Sequence, residues 1–508
     1  MRELAKTYNE AREDIFVREG RKYPGKALVD MELRPGYNEA KEKKIWDMLA
    51  INEAHLIMLV EQGIVSKEDG RILFECIENM DYRKYESYEY SGKFEDLFFE
   101  IENEQISLTN GLAGNIHLAR SRNDMCLCLD HMVFRRELLK LIELLVEMQN
   151  TVKLFAQEHK DTLYVAYTHA QHAQPSVLGH YYLGLFDVLN RDIERLQHAY
   201  KQINGSVMGA AAITTTGFPI NRQRVAELLG FDYVIENSFD AIGNIDFMTE
   251  TASALGLAAL NLGRVITDMV TWATEGMDMI ILADGYISTS SIMPQKRNPI
   301  ALEHLRSSLS MVKGLADAIH SSYLKSPYGD ISDHEDITAI LSQCISLLET
   351  NYRTFNAVMG TLDVNAGLLR ERAYESFAVV TEVADEIVRV CHIPFRSAHH
   401  VVATMVKEAG RKGYNLKDME EDFFTPIYKM VTGKDFDGDF SLIRKAMDPQ
   451  AFVDSRNIYG GCGPKAMENM LISAGEKQQK SLEWLRNAHE TIDKATAKRK
   501  TLIEEFLK

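Results

Sequence analysis

The chain has 508 residues, 45% hydrophobic and 26% charged, the composition of an ordinary globular protein but too long for a single core. Its formal net charge of -17 excludes nucleic acid and anionic membrane surfaces as principal partners. A small anionic substrate stays open, because a local cluster of Arg and Lys can bind one inside an acidic protein.

Taken in chain order, Met1 to Glu19 mixes acids and bases and lacks the apolar core of a signal peptide. From Gly36 to Gln174 there is no proline, and apolar residues recur at three and four, so helix is the expectation throughout. Leu138, Leu141, Ile142, Leu145 and Met148 form one stripe, with Arg136, Glu137, Lys140 and Glu147 off it. Helical patterns continue over Leu178 to Ile203, Phe247 to Leu282, Pro299 to Tyr323 and Ile337 to Met359, which together predict an all-α fold built on a long bundle. The Phe247 helix is apolar or small on nearly every face, so it must be covered on all sides, and it is a candidate for oligomer contacts. Its most hydrophobic run, Thr251 to Gly263, is shorter than the ~18 apolar residues of a membrane span.

Turn-rich breaks fall at Asn115 to Asn123, Thr214 to Pro219 and Ser326 to Asp336, and beyond Ala373 helices shorten. The expected division is an N-terminal domain over 1–118, a central bundle over 119–372 and a C-terminal domain over 373–508. The acidic run Asp435 to Asp439 lacks calcium-loop spacing and reads as a turn. Cys76, Cys126, Cys128, Cys344, Cys391 and Cys462 are scattered without a disulfide framework and point to reduced thiols in a cytoplasm. Cys126 and Cys128 lack a second ligand pair, so no metal is expected.

The densest chemistry lies in Ser288-Thr289-Ser290-Ser291-Ile292-Met293-Pro294-Gln295-Lys296-Arg297-Asn298-Pro299. Asn298 followed by Pro299 reads as an N-cap and first helical residue, and Leu302, Leu305, Leu309 and Val312 carry the helix onward. Free N–H groups at a helix start favour an anion, and Lys296 adds a full charge beside them. Ser290 and Ser291 next to a lysine could combine a proton acceptor with oxyanion stabilisation, which proton abstraction beside a carboxylate requires.

This segment resembles the signature loop of the fumarase/aspartase superfamily, with Thr289 standing where glycine is usual. His117-Leu118-Ala119-Arg120-Ser121-Arg122-Asn123-Asp124 and Tyr167-Thr168-His169-Ala170-Gln171-His172-Ala173-Gln174-Pro175 resemble the other two conserved loops of its argininosuccinate lyase branch. The resemblance runs from about Glu95 onward and includes Gly217 to Arg222, Glu236 to Ser238 and Tyr459 to Gly461. It implies a carbon–nitrogen lyase that eliminates fumarate from an N-substituted aspartate, without metal or cofactor. It also implies a homotetramer in which each site takes the Ser121, His169 and Ser290 loops from three different subunits.

By the same resemblance, Ser290 takes the carbon-bound proton, His169 with Thr168 serves the leaving nitrogen, and Glu303 orients that histidine. Lys296, Asn298 and loop N–H groups would stabilise the charge that builds on the substrate carboxylate. Ser121, Arg122 and Asn123 would bind a carboxylate, with Ser291 and Gln174 completing the substrate contacts. Without the resemblance, Ser121 or Asn123 reads as a helix cap and Arg122 as a surface ion-pair residue.

The departures cluster where the amine should bind. His172 stands where the family has Arg, Asn52 where it has Ser, and Asp330-Ile331-Ser332-Asp333-His334-Glu335 replaces Asp-Leu-Gln-Glu-Asp-Lys. Argininosuccinate is the first substrate expectation. A lyase acting on another adduct, such as ethylenediamine-disuccinate, with Asp333 or Glu335 facing a cationic amine, is the alternative. A non-catalytic, crystallin-like structural protein is a third.

Overall fold

Five helices supply the frame of the computed structural model, which describes residues 7–508. Met1 to Lys6, at the start of the expected N-terminal segment, lie outside the described residues. Helices α1 (Ile45–Glu61) and α2 (Lys67–Asn79) precede the first bundle helix, α3 (Arg122–Glu158). A hairpin of β1 (Leu163–Thr168) and β2 (Gln171–Val177) leads into α4 (Leu178–Ile203). Helix α5 (Arg222–Leu229) is short, and α6 (Asp246–Trp272) returns to the bundle. A second hairpin, β3 (Ser288–Thr289) with β4 (Arg297–Asn298), precedes α7 (Ile300–Tyr323) and α8 (Asp333–Met359). Beyond these come α9 (Val380–Cys391) and the 44-residue α10 (Pro464–Leu507).

The expected stripe on α3 is real: Leu138, Leu141, Ile142, Leu145 and Met148 are all fully buried. Each long helix packs on two neighbours in the order α3, α4, α6, α7, α8 and back to α3, closing a ring around that stripe. On α6, Ala252, Ala258 and Ala259 are buried, while Gly256 lets Lys313 and Ala316 of α7 come close. Length and composition alone would allow α6 to cross a membrane; its inner face is instead covered by α4 and α7. Ser253, Leu257, Leu260, Arg264, Thr267 and Thr271 point outward along the remaining face.

The ring has two distinct ends. Phe247, at the start of α6, stacks within 4.1 Å of His131 near the start of α3, and His334 at the start of α8 reaches Asp130 at 3.2 Å. Trp272, at the far end of α6, meets Tyr181 at the start of α4 with ring centroids 4.8 Å apart. Both hairpins therefore lie at the second end, whereas Ser121 lies at the first. Buried apolar residues form two clusters: one fills the ring and continues into the C-terminal helices, and the other joins α1 and α2 to the start of α3, to residues 207–242 and to Ile503. Helix α10 bridges them, with Trp484 against Tyr200 and Phe506 stacked on Phe74.

Two expected helical stretches end differently. The proline-free run up to Gln174 includes β1, because the chain leaves α3 at His159 and pairs with β2 through Leu163 and Val177. The Phe247 pattern stops at Trp272 rather than Leu282, since Gly276 takes a positive φ of 90° and Ile280–Ile281 pairs with Asp363–Val364.

Gly179 marks a tight approach in this corner. A Cβ there would meet the Ala156 carbonyl oxygen at 2.3 Å and Lys160 Cα at 2.9 Å, and neither backbone can yield. Gly179→Ala is expected to cost about 3 kcal/mol of stability, read as a lowered midpoint in urea unfolding.

Candidate active site

At the first end of the bundle, Ser121 is the N-cap of α3. Its hydroxyl oxygen accepts from the Asn123 N–H at 3.3 Å, and the Asp124 carboxylate reaches back to the Ser121 N–H at 2.9 Å, a capping box. Arg122 is committed to carboxylates of its own chain, Glu95 and Asp96, each at 3.2 Å, and lies over the Phe99 ring. The cap and ion-pair arrangement is therefore present within the subunit. Asn123 donates its side-chain amide to the Ala212 carbonyl at 3.2 Å.

Thr168 and His169 sit at the second end, at the tip of the β1–β2 hairpin and not in the helix expected up to Gln174. His169 and Ala170 both adopt positive φ, 52° and 57°, between the paired Thr168 and Gln171. This is the two-residue hairpin geometry whose twist matches the strands, and it lifts the His169 imidazole into solvent at the tip. His172, two residues past the turn, bonds to the Tyr167 hydroxyl at 3.1 Å. Gln174 donates to the Thr381 hydroxyl on α9 at 3.1 Å, tying the hairpin to the C-terminal helices.

The signature segment is a second small hairpin at the same end, pairing Ser288 with Asn298 and Thr289 with Arg297. At its tip the Ser290 hydroxyl oxygen accepts from the N–H groups of Ile292 at 3.3 Å and Met293 at 3.2 Å. Donors aimed at an oxygen favour its anionic form. Ser291 and Lys296 are exposed on the same tip, and the Lys296 ammonium makes no ion pair among the described residues.

The expected N-cap role of Asn298 is not observed. Asn298 is held in the β3–β4 ladder and its amide donates to the Ser288 hydroxyl at 3.4 Å, so α7 begins one residue later, with Pro299 in the cap position. Glu303 lies exposed in the first turn of α7 and makes no hydrogen bond to His169 among the described residues.

One distance dominates this layout. The 37 residues of α3 span about 55 Å at 1.5 Å per residue, and they separate Ser121 from the His169 hairpin. A single subunit thus carries the candidate anion-binding cap and the candidate acid–base loops at opposite ends.

Near the Ser121 end lies a cavity of about 280 Å³, lined among others by Asp240, Asp246, Tyr323, Tyr328, Asp330 and His334. Asp333 accepts from the Ser326 hydroxyl at 3.1 Å and is engaged within its own loop. Burial, with Glu32 and Asp130 nearby, pushes the Glu335 carboxyl above its ordinary range. His334 turns inward: its Nε2 lies 3.2 Å from Asp130, its Nδ1 lies 3.3 Å from the Tyr323 hydroxyl, and Lys44 donates to Asp130 at 2.9 Å. Lys44 and Asp130 escaped the sequence reading, because they lie 86 positions apart and belong to no motif.

A model of the lyase family matches residues 99–314, and one of the argininosuccinate lyase C-terminal region matches 377–454. The argininosuccinate lyase of Methanosphaera stadtmanae is 33% identical over 83% of this chain and 90% of its own length. Argininosuccinate lyase 2 of Agrobacterium fabrum is 35% identical over 89% and 90%. The chain belongs to the argininosuccinate lyase family. Within that family it is a carbon–nitrogen lyase that releases fumarate. Among solved structures, EDDS lyase in complex with formate superposes with a TM-score of 0.82 at 27% identity, covering 96% of each chain. Class II fumarase from Schistosoma mansoni, at 15% identity and a TM-score of 0.65, shares the fold.

Burial alone would raise the Asp130 carboxyl, but Lys44 and His334 outweigh it and hold the group at about 2, below the ordinary 3.8. A depressed carboxylate stabilises the fold in full above its unfolded value and loses that contribution as pH falls toward about 2. Asp130→Asn is expected to cost about 3 kcal/mol at neutral pH, leaving the buried Lys44 with only the longer 3.7 Å pair to Glu39. Its stability should also fall less steeply between pH 4 and pH 2 than that of the parent, about 2 units over which only the parent gains a proton at this site; urea midpoints against pH read both effects.

Proposed function

We propose that the chain cleaves argininosuccinate to arginine and fumarate, as a cytoplasmic homotetramer with active sites shared between subunits. The observation that carries the chemistry is Ser290, whose oxygen already accepts from the Ile292 and Met293 N–H groups beside Lys296, which makes no ion pair among the described residues. A serine hydroxyl is a poor base unless its anion is stabilised, and those N–H groups with the ammonium supply that stabilisation once the loop closes and water leaves.

Ser290 then takes the proton from the carbon beside the substrate carboxylate. Lys296, Asn298 and Ser291 stabilise the doubled negative charge that follows. His169, oriented by Glu303 and assisted by Thr168, delivers a proton to the leaving nitrogen as the C–N bond breaks. Ser121 and Asn123 hold a substrate carboxylate, Arg122 joins them only by giving up its pairs with Glu95 and Asp96, and Gln174 adds a contact. The opposite placement of these loops in one subunit supports sharing between subunits, as does the outward apolar face of α6 at Leu257 and Leu260, 42% and 51% exposed. All six cysteines are free, in keeping with a reducing compartment.

A second reading has its own support. The cavity beside His334 is walled by Asp240, Asp246 and Asp330, which suits a cationic amine, and EDDS lyase matches this chain over nearly its whole length. That reading makes ethylenediamine-disuccinate the substrate.

Fumarate release, followed by ultraviolet absorbance, separates the two when argininosuccinate, ethylenediamine-disuccinate and other N-substituted aspartates are compared. Turnover of argininosuccinate, reduced roughly a hundredfold to ten-thousandfold in Ser290→Ala, is the expected result. Activity only on another adduct would show that the amine pocket is built for a different leaving group. Unchanged turnover in Ser290→Ala would remove Ser290 as the base.

A further inference from the structure

Asp124 follows directly on the Ser121-Arg122-Asn123 loop, and its environment is unusual. Its side chain is completely buried. One carboxylate oxygen accepts from the Ser121 N–H at 2.9 Å, and the other accepts from the N–H groups of Gly209 at 2.8 Å and Ala211 at 3.0 Å. One charge therefore joins two chain segments more than 80 residues apart.

The second segment is a strained turn. Gly209 and Ala211 hold φ of 80° and 54°, and Ala119, just before the Ser121 loop, holds 62°. Left-handed backbone at alanine is costly and persists only where surrounding bonds enforce it. A Cβ at Gly209 would meet Arg222 Cγ at 2.7 Å and Ile220 Cδ1 at 2.8 Å. Arg222 grips the turn from its carbonyl side, donating to the Met208 oxygen at 2.9 Å, while Asp124 takes its N–H groups. Asn123 closes the link by donating to the Ala212 carbonyl.

We propose that Asp124 is a positioning residue that clamps the Ser121–Asn123 loop onto the Gly209–Ala212 turn and so sets the geometry of the substrate-carboxylate site. The proposal rests on the reading of Ser121 and Asn123 as carboxylate-binding groups. The carboxylate form is needed, because a protonated oxygen would face an N–H donor with a hydrogen of its own.

Burial is the main influence on this carboxyl and raises it to about 6, against the lowering effect of the Ser121, Ala211 and Gly209 N–H groups and of Arg120. The other charged or titratable groups around it are Arg222, at the start of α5, and Cys128, one turn along α3. The clamp is therefore ionised above pH about 6 and neutral below it. Arg120 itself is buried, with one guanidinium nitrogen lacking a hydrogen-bond partner, and acts on Asp124 through space.

The test uses fumarate as a product inhibitor of the assembled enzyme between about pH 5.5 and 8, a range in which it stays doubly ionised. Asp124→Asn should weaken fumarate at least about tenfold at pH 7.5, the scale of a lost charge-assisted bond. The parent is expected to lose fumarate affinity below pH about 6, and the variant to lack that loss. Asn123→Ala tests the underlying reading. If Asn123→Ala weakens fumarate while Asp124→Asn binds it as the parent does, the clamp is refuted. If neither variant changes fumarate affinity, the Ser121–Asn123 reading has failed instead. Should Asp124→Asn not fold, Arg222→Lys loosens the same turn from its other side, and an unchanged fumarate affinity in that variant would equally overturn the proposal.

Discussion

The uninterrupted length of α3 is the constraint on which the rest of the site depends. Its 37 residues carry an apolar stripe without proline or glycine, so the helix stays straight enough to hold its two ends about 55 Å apart. Ser121 caps one end, and the hairpin bearing Thr168 and His169 follows the other. The neighbouring bundle helices, 24 to 27 residues long, run alongside it, which brings the Ser290 hairpin to the His169 end and the Asp330–Glu335 segment to the Ser121 end. The residues proposed to act on one small substrate are thus parted by the dimensions of the bundle itself, and the proposed juxtaposition between chains would combine them.

Within this frame the chemistry is electrostatic. In a chain of net charge -17, the groups proposed to meet an anionic substrate are set by local arrangement: backbone N–H groups at Ser290, the Lys296 ammonium, without an ion pair among the described residues, and a helix start at Ser121. Such fixed donors need no reorganisation as charge builds, which is where their effect on rate lies. Acidic residues next to these loops are paired with bases, Glu95 and Asp96 with Arg122 and Asp284 with Arg297, and others gather around the cavity beside His334. Asp124 and Asp130 lie six positions apart on the same helix and do opposite things. Asp130 is held ionised by Lys44, whereas Asp124 has only N–H groups and distant guanidiniums, and burial raises it.

The helical frame was legible in the sequence because spacing reports which face is buried, as the α3 stripe and Leu302, Leu305, Leu309 and Val312 on α7 show. The His169 hairpin was not, since its turn is made by His and Ala in left-handed backbone, and neither residue type announces that conformation. Asn298 carried a correct local signal for a cap, yet tertiary pairing with Ser288 took the residue into a ladder. The site loops stood out through their resemblance to a family. The Lys44, Asp130 and His334 cluster could not, because its partners come from three separate elements and only the fold unites them.

Whether a working site needs loops from more than one copy of the chain is decided by mixing two inactive variants. Asn123→Ala damages the Ser121 end and Ser290→Ala the hairpin end. After subunit exchange at equal amounts, roughly a quarter of the shared sites would carry neither lesion, and fumarate release should rise far above that of either parent. Activity that stays at the parental level, with exchange demonstrated by mixed tagging and both variants folded, would contradict the account and place all the loops of a site within one subunit.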